Sequence, residues 1–207
     1  MVTDPTVFVV DDDPALRRSL SYLIESVGLE VESFAGGEEF LQACDPDRPG
    51  VLVLDLRMPG IGGLDVQREL NRRGIELPII LLTGHAEVST AVRSLKEGAF
   101  DFIEKPFSDQ VLLDSIQAAI REDRTIRSQR LRHRDIAERV ERLTQREREV
   151  MERVVVGEAN RVIAEHLGLS PKTVEVHRAH VMEKLEVRSL AELVRMVVAL
   201  EPSDRAH

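Results

Sequence analysis

Four aliphatic stretches in the first half of the chain run into residues able to handle a phosphoryl group. Val7-Phe8-Val9-Val10 leads into Asp11-Asp12-Asp13, and Val51-Leu52-Val53-Leu54 into Asp55-Leu56-Arg57. Ile79-Ile80-Leu81-Leu82 leads into Thr83-Gly84, and Phe100-Asp101-Phe102-Ile103 is followed by Lys105-Pro106. Carboxylates converging at one edge repel one another unless a cation sits between them. Hard oxygen ligands with few carboxylates suit Mg2+, which keeps waters and completes its shell with phosphate oxygen. A carboxylate in such surroundings can attack a phosphoryl group and become an aspartyl phosphate. The charge on the transferred group then needs partners, and Mg2+, the Thr83 hydroxyl and the Lys105 ammonium are of suitable types.

Each residue alone has an ordinary role. Asp13 precedes Pro14, which reads as an N-cap followed by proline at the first helical position, so Asp13 is left off the metal set. Asp11 and Asp12 alone fit a solvated turn, Thr83 a strand-end hydroxyl capping a helix, and Lys105 a surface lysine. It is their recurrence at matching strand ends that points to a site.

The elements that position them alternate. Three of the aliphatic runs are continuous, as in strands buried on both faces. A helical pattern starts at Pro14, with Leu16, Leu20, Leu23 and Val27, and stops at Gly28. Another runs from Glu87, with Val88, Val92 and Leu95, and stops at Gly98. With Leu29-Glu30-Val31 as a further strand, five βα repeats fit in about 120 residues. They imply a parallel sheet with helices on both faces and function at the carboxyl ends of its strands. From Ser108 to Leu143 there is neither glycine nor proline, and one long helix, or two in series, is expected over Asp109–Arg142.

Composition sets limits. The 207 residues carry 37 acids and 28 bases, a formal charge of −9 that argues against nucleic acid. The average hides an asymmetry: residues 1–125 hold 23 acids and 12 bases, whereas residues 126–207 hold 14 acids and 16 bases. Cys44 is the only cysteine, which excludes a disulfide framework and a cysteine-based zinc site. The longest apolar run is five residues, Met196 to Leu200, against the ~20 needed to span a bilayer. The N-terminus has neither a basic region nor an apolar stretch of signal-peptide type. A cytoplasmic protein of two domains, with no membrane partner, is expected.

The second half is helical. Thr144 and Glu147 have capping-box spacing. Asn160 to Leu167 reads as a short helix, Gly168-Leu169 as a turn, and Ser170-Pro171 as the start of a third helix to about Leu185. Two helices joined by a tight glycine-containing turn are helix-turn-helix grammar. The third helix has Val174, Val181 and Leu185 to bury, and Lys172, Thr173, Glu175, Val176 and Arg178 in the turns where a recognition helix meets base edges. His177 and His180 lie three apart without a third ligand nearby, so a metal site there is not expected.

These motifs carry a resemblance. VVDDD (9–13), VLDLRMPGIGG (53–63), LLTGHAE (81–87) and GAFDFIEKPF (98–107) resemble the receiver domain of bacterial two-component response regulators. The resemblance implies a flavodoxin-like five-stranded parallel sheet of order 2-1-3-4-5. It implies Asp55 as phosphoacceptor, Mg2+ held by Asp11, Asp12, Asp55 and the Arg57 backbone carbonyl, and Thr83, Phe102 and Lys105 as the switch and phosphate-pairing residues. It also implies a cis Lys105-Pro106 bond. LTQREREV (143–150), GEANRVIAEHLGLSPKTVEVHRAHVMEKL (157–185) and VRSLAELVRMVVA (187–199) resemble the LuxR-type DNA-binding domain of FixJ-like regulators. Arg161 stands where many members have lysine, and His180 where asparagine is frequent.

The implied organisation is a receiver over residues 1–122, a helical linker over 123–142 and an all-α helix-turn-helix domain over 143–207. The implied DNA contacts are Arg161, Lys172, Thr173, Glu175, Val176, His177, Arg178 and Lys184. Dimerisation would use Val92 and Leu95 in the receiver and Leu190, Leu193, Val194 and Val197 in the last helix, unless that apolar face is only core. The implied partners are a sensor histidine kinase, promoter double-stranded DNA, a second copy of the chain and RNA polymerase. The chain is then a phosphorylation-controlled transcription regulator that catalyses only phosphoryl transfer to its own Asp55 and its slow hydrolysis.

Two rivals belong to other classes. Asp11-x-Asp13 after a strand is similar to the first motif of haloacid-dehalogenase-type phosphatases, although the final paired-acid metal motif is missing and Asp55 would have no role. The other rival is a regulator that never uses phosphate. No GxxxxGK[ST] or kinase nucleotide site occurs.

Overall fold

The computed structural model describes residues 4–84, 95 and 97–200. The chain divides into two compact units between Arg127 and Ser128.

The first unit is built on five parallel strands, β1 (Thr6–Val10), β2 (Glu30–Phe34), β3 (Gly50–Asp55), β4 (Ile79–Thr83) and β5 (Asp101–Glu104). Their order is β2-β1-β3-β4-β5, the arrangement expected from the sequence. Around them are α1 (Pro14–Ser26), α2 (Gly37–Ala43), α3 (Gly63–Arg72) and the first part of α4 (Asp109–Glu141). Alternate strand residues face opposite sides. Phe8, Val10, Leu52, Leu54 and Leu81 pack with Phe40, Val66 and Leu70 of α2 and α3. Val7, Val9, Val51, Val53, Ile80 and Leu82 pack with Leu20 and Ile24 of α1 and with Leu112 and Ile116 of α4. This two-sided burial explains why β1, β3 and β4 are continuous apolar runs. Asp13 caps α1, accepting the Ala15 N–H at 2.8 Å, and the helix ends before Gly28 at φ +79°. The helix expected from Glu87, with Val88 and Val92, lies outside the described residues. Leu95 lies within them and is 39% exposed.

Where a separate linker was expected from residue 123, the first turns of that segment belong to the first unit. Asp123 is buried, and Arg127 donates to the backbone carbonyls of Asp47 at 3.0 Å and Arg48 at 2.6 Å. The helical pattern carried no sign of these contacts, because their partners lie about 80 positions earlier in the chain.

The second unit contains the rest of α4 and the helices α5 (Gln145–Val156), α6 (Asn160–Leu167), α7 (Pro171–Lys184) and α8 (Leu190–Leu200). Its core is Leu143, Val150, Met151, Val154, Ile163, Ala164, Val174, Val181, Leu185, Val187 and Leu193. The Thr144–Glu147 capping box is formed in both directions. Ser170 caps α7 by accepting the Thr173 N–H at 3.0 Å. Among the described residues, no helix is long and apolar enough to cross a membrane.

Candidate functional site

Parallel pairing brings the ends of β1, β3 and β4 level with one another, because Val10 pairs Leu54, Leu54 pairs Leu81 and Asp55 pairs Leu82. Whatever follows each strand therefore emerges at one edge. Asp11 follows β1 and is 1% exposed, and Asp55 closes β3 at 7%. Thr83 closes β4 and is buried. Lys105 follows β5, and its backbone N–H donates to the Thr83 carbonyl at 2.7 Å, which fixes where the lysine starts.

The side chains then converge. The Lys105 Nζ lies 2.9 Å from Asp11 Oδ2 and 2.5 Å from Asp55 Oδ1. The remaining carboxylate oxygens are held by the backbone: Asp11 Oδ1 accepts the Asp13 N–H at 2.8 Å, and Asp55 Oδ2 accepts the Arg57 N–H at 2.8 Å. Arg17 of α1 donates to the Asp11 carbonyl. Thr83 donates its hydroxyl to the Gly84 carbonyl at 3.2 Å. Asp12 and the Arg57 side chain are exposed, and Phe102 lies half-buried at the margin of the α2/α3 core. The Lys105-Pro106 bond is cis, as expected.

Electrostatics follow from this geometry. Burial pushes the Asp55 carboxyl above its ordinary pKa, while the hydrogen bond and charge of Lys105 work to lower it. For Lys105 burial works to lower the pKa, but the bonds to Asp55 and Asp11 outweigh it and hold the ammonium above its ordinary value. Two carboxylates thus share one cation. Among the described residues, no group of three or more His, Cys, Asp or Glu is gathered closely enough to cage an ion. Two buried hard-oxygen ligands short of positive charge nevertheless fit a divalent cation that binds few protein groups and keeps its waters.

Sequence reasoning missed one contributor. A Cβ on Gly63, at the start of α3, would lie 2.5 Å from the Asp55 carbonyl oxygen, so only glycine lets α3 approach the end of β3 this closely. The paired glycines of GIGG were the available signal.

The second unit presents a helix pair of the expected kind. On α6 and α7, Arg161 and Lys172 are 87% and 85% exposed. Glu175 and Val176 are also exposed, and Thr173, His177 and Arg178 are half-buried. Two expected DNA contacts are engaged internally: Arg178 donates to Asn160 Oδ1 at 2.7 Å, and Lys184 to Glu147 Oε2 at 2.6 Å. The His177 Nδ1 is buried. On α8, Leu193 is 1% exposed in the core, which leaves Leu190, Val194 and Val197 of the residues expected at a dimer face. Leu190 is 44% exposed, and Val198, which the sequence reading did not single out, is 55% exposed.

Comparison with known proteins matches both units. Residues 7–117 match the response regulator receiver domain family, and residues 141–197 match the bacterial regulatory proteins of the luxR family. The chain is 47% identical to nodulation protein W of Bradyrhizobium diazoefficiens over 94% of its own length and 86% of that protein. It is 45% identical to the transcriptional regulatory protein FixJ of Azorhizobium caulinodans, covering 97% of this chain and 96% of that one. Among solved structures, the response regulator StyR superposes with a TM-score of 0.84 at 41% identity, covering 95% of this chain and 99% of that one. Full-length FixJ from B. japonicum gives 0.59 at 40% identity, covering 96% and 98%.

Proposed function

The chain belongs to the FixJ-like response regulators, in which a receiver domain is joined to a LuxR-type DNA-binding domain, and we propose that Asp55 is the residue through which it receives its signal. Proteins of this family regulate transcription under the control of phosphorylation, with a kinase upstream and DNA downstream. The observation that carries the assignment of Asp55 is the Lys105 ammonium bridging it to Asp11 at the ends of three different strands.

A sensor histidine kinase presents phosphohistidine. The Asp55 carboxylate attacks phosphorus, the P–N bond breaks and the imidazole leaves. Asp11, Asp12, Asp55 and the Arg57 backbone carbonyl would hold Mg2+, which would supply positive charge to the phosphoryl oxygens. Lys105 pairs with a phosphoryl oxygen, and the Thr83 hydroxyl turns from the Gly84 carbonyl to another. Phe102 follows inward as Thr83 moves. Taking a population from 1:99 to 99:1 requires about 5.5 kcal/mol in favour of the active state. Two or three charge-assisted hydrogen bonds at ~1.5–3 kcal/mol each supply that.

The activated chain dimerises, through Val92 and Leu95 in the receiver and Leu190, Val194 and Val197 of α8, and reads half-sites about one helical turn apart, ~34 Å. Helix α7 enters the major groove with Lys172, Thr173, Glu175 and Val176, supported by Arg161, His177, Arg178 and Lys184. RNA polymerase is the downstream partner, and the setting is the cytoplasm. Turnover is limited to phosphorylation of Asp55 and slow hydrolysis of the product.

Incubation with acetyl phosphate and Mg2+ tests this. One phosphate per chain, absent in Asp55→Ala, is expected. Multiple turnover that survives Asp55→Ala and is lost in Asp11→Ala would instead make the protein a phosphatase with Asp11 as nucleophile. The geometry disfavours that outcome, because Asp13, the second acid such a phosphatase needs, caps α1.

A further inference from the structure

The part of α4 that belongs to the second unit opens with Ser-Gln-Arg-Leu-Arg-His-Arg, residues 128–134, which contain three arginines and no acid. Arg130, Arg132 and Arg134 are all exposed. Arg130 and Arg134 lie four apart on one helix face, where like charges weaken a helix by a few tenths of a kcal/mol.

The segment expected to read DNA lacks the matching charge. Residues 143–207 carry 10 bases and 11 acids, a net of −1. Several of those bases are already close to an acid or an acceptor. Lys184 reaches Glu147, Arg178 reaches Asn160, Arg153 reaches Glu158, and Arg161 and Lys172 each sit within 3.5 Å of a glutamate. Affinity for duplex DNA comes largely from neutralising phosphates with Lys and Arg. Arginine suits that task, since its planar fork matches phosphate geometry.

We propose that Arg130, Arg132 and Arg134 form a second DNA contact, which grips the phosphate backbone beside the bases read by Pro171–Lys184. The inference rests on DNA binding by the second unit. The contact is independent of sequence and adds affinity without changing which site is preferred.

The test uses the full chain treated with acetyl phosphate and Mg2+, and a duplex selected by the wild type from a random pool. The selected site is prepared once within long flanks and once trimmed to the site. Binding is followed by fluorescence anisotropy across a KCl series. The triple variant Arg130→Gln/Arg132→Gln/Arg134→Gln keeps good helix formers at all three positions, and circular dichroism checks its helicity. On the long duplex its plot of log affinity against log salt should be shallower by about 2.7, and its affinity at low salt about tenfold weaker. On the trimmed duplex the two proteins should bind alike, and the triple Arg→Lys variant should restore the slope.

Equal slopes and affinities on the long duplex would overturn the inference. So would a triple variant that binds DNA like wild type yet no longer alters transcription, which would assign the arginines to an acidic protein surface. A wild type that selects no duplex would bring down DNA binding itself, and this contact with it.

Discussion

The Asp123 carboxylate accepts the backbone N–H of Gly50 at 3.1 Å, joining α4 to the first residue of β3 across 73 positions of sequence. Asp123 is 1% exposed, and burial pushes its carboxyl above the ordinary range, while Arg127 at 2.9 Å and the Gly50 amide work to lower it. Gly50 is held in the sheet by its pairing with Thr6, and a Cβ there would lie 2.0 Å from the Thr6 carbonyl oxygen, so the position takes only glycine. Asp123→Ala leaves Arg127 without its carboxylate and the Gly50 N–H without its acceptor. The Arg127 side chain keeps 22% exposure and its bonds to backbone carbonyls, so the loss should fall at the low end for a broken buried pair, about 3 kcal/mol. Urea unfolding followed by circular dichroism measures it, and an unchanged midpoint would show that the contact contributes nothing.

That contact shows where the sequence stops being legible. Strand order and the site at the strand ends could be read because local patterns carry them: apolar runs two-sidedly buried, each followed by a residue of distinctive chemistry. The caps at Asp13, Thr144 and Ser170 were equally local. Asp123 looked like one more charge in a charged helix, because its partner is a backbone amide that no residue type announces. The ion pair of Lys184 was hidden for a similar reason, since Glu147, its partner, lies 37 positions away on another helix. Leu193 and Val198 are both apolar residues of α8, and only the packing separates the buried one from the exposed one.

Gly63 ties α3 to the phosphoacceptor strand. Gly63→Ala places a methyl group 2.5 Å from the Asp55 carbonyl oxygen, a backbone atom that cannot swing aside. Relief by a shift at the end of β3 would disturb the approach of Asp55 to Lys105. The expected outcome is a stability loss of about 1–3 kcal/mol, typical of overpacking, with slower labelling by acetyl phosphate. Labelling at the wild-type rate would mean that α3 yields instead.

Thr83→Ala separates phosphorylation from response. The residue closes a buried strand, and its hydroxyl donates to the Gly84 carbonyl at 3.2 Å. Removing it should leave labelling of Asp55 within about twofold and remove one charge-assisted bond from the phosphorylated state, ~1.5–3 kcal/mol. That would lower the ratio of active to inactive chains by about tenfold or more. The gain in DNA affinity on phosphorylation, measured on a selected duplex, reports this ratio, and a full gain in the variant would remove Thr83 from the switch.

Glu147 should govern the acid stability of the second unit. It is 4% exposed. Burial works to raise its pKa, but the Lys184 hydrogen bond and the Thr144 amide outweigh it and bring the carboxyl from 4.5 down to about 2. A depressed pKa in the folded state adds stability that is complete above the unfolded value and is lost as pH falls through the folded one. The unit should therefore loosen between about pH 4.5 and 2. Amide hydrogen exchange across Gln145–Val156 in the full chain follows this directly. Glu147→Gln keeps an acceptor for the Thr144 amide but loses the charge that holds Lys184. It should be less stable than wild type at neutral pH by about 1–3 kcal/mol, with a flatter acid dependence. If the variant instead loses protection over the same acid range with the same steepness, another carboxylate controls the transition and the Glu147–Lys184 pair does not.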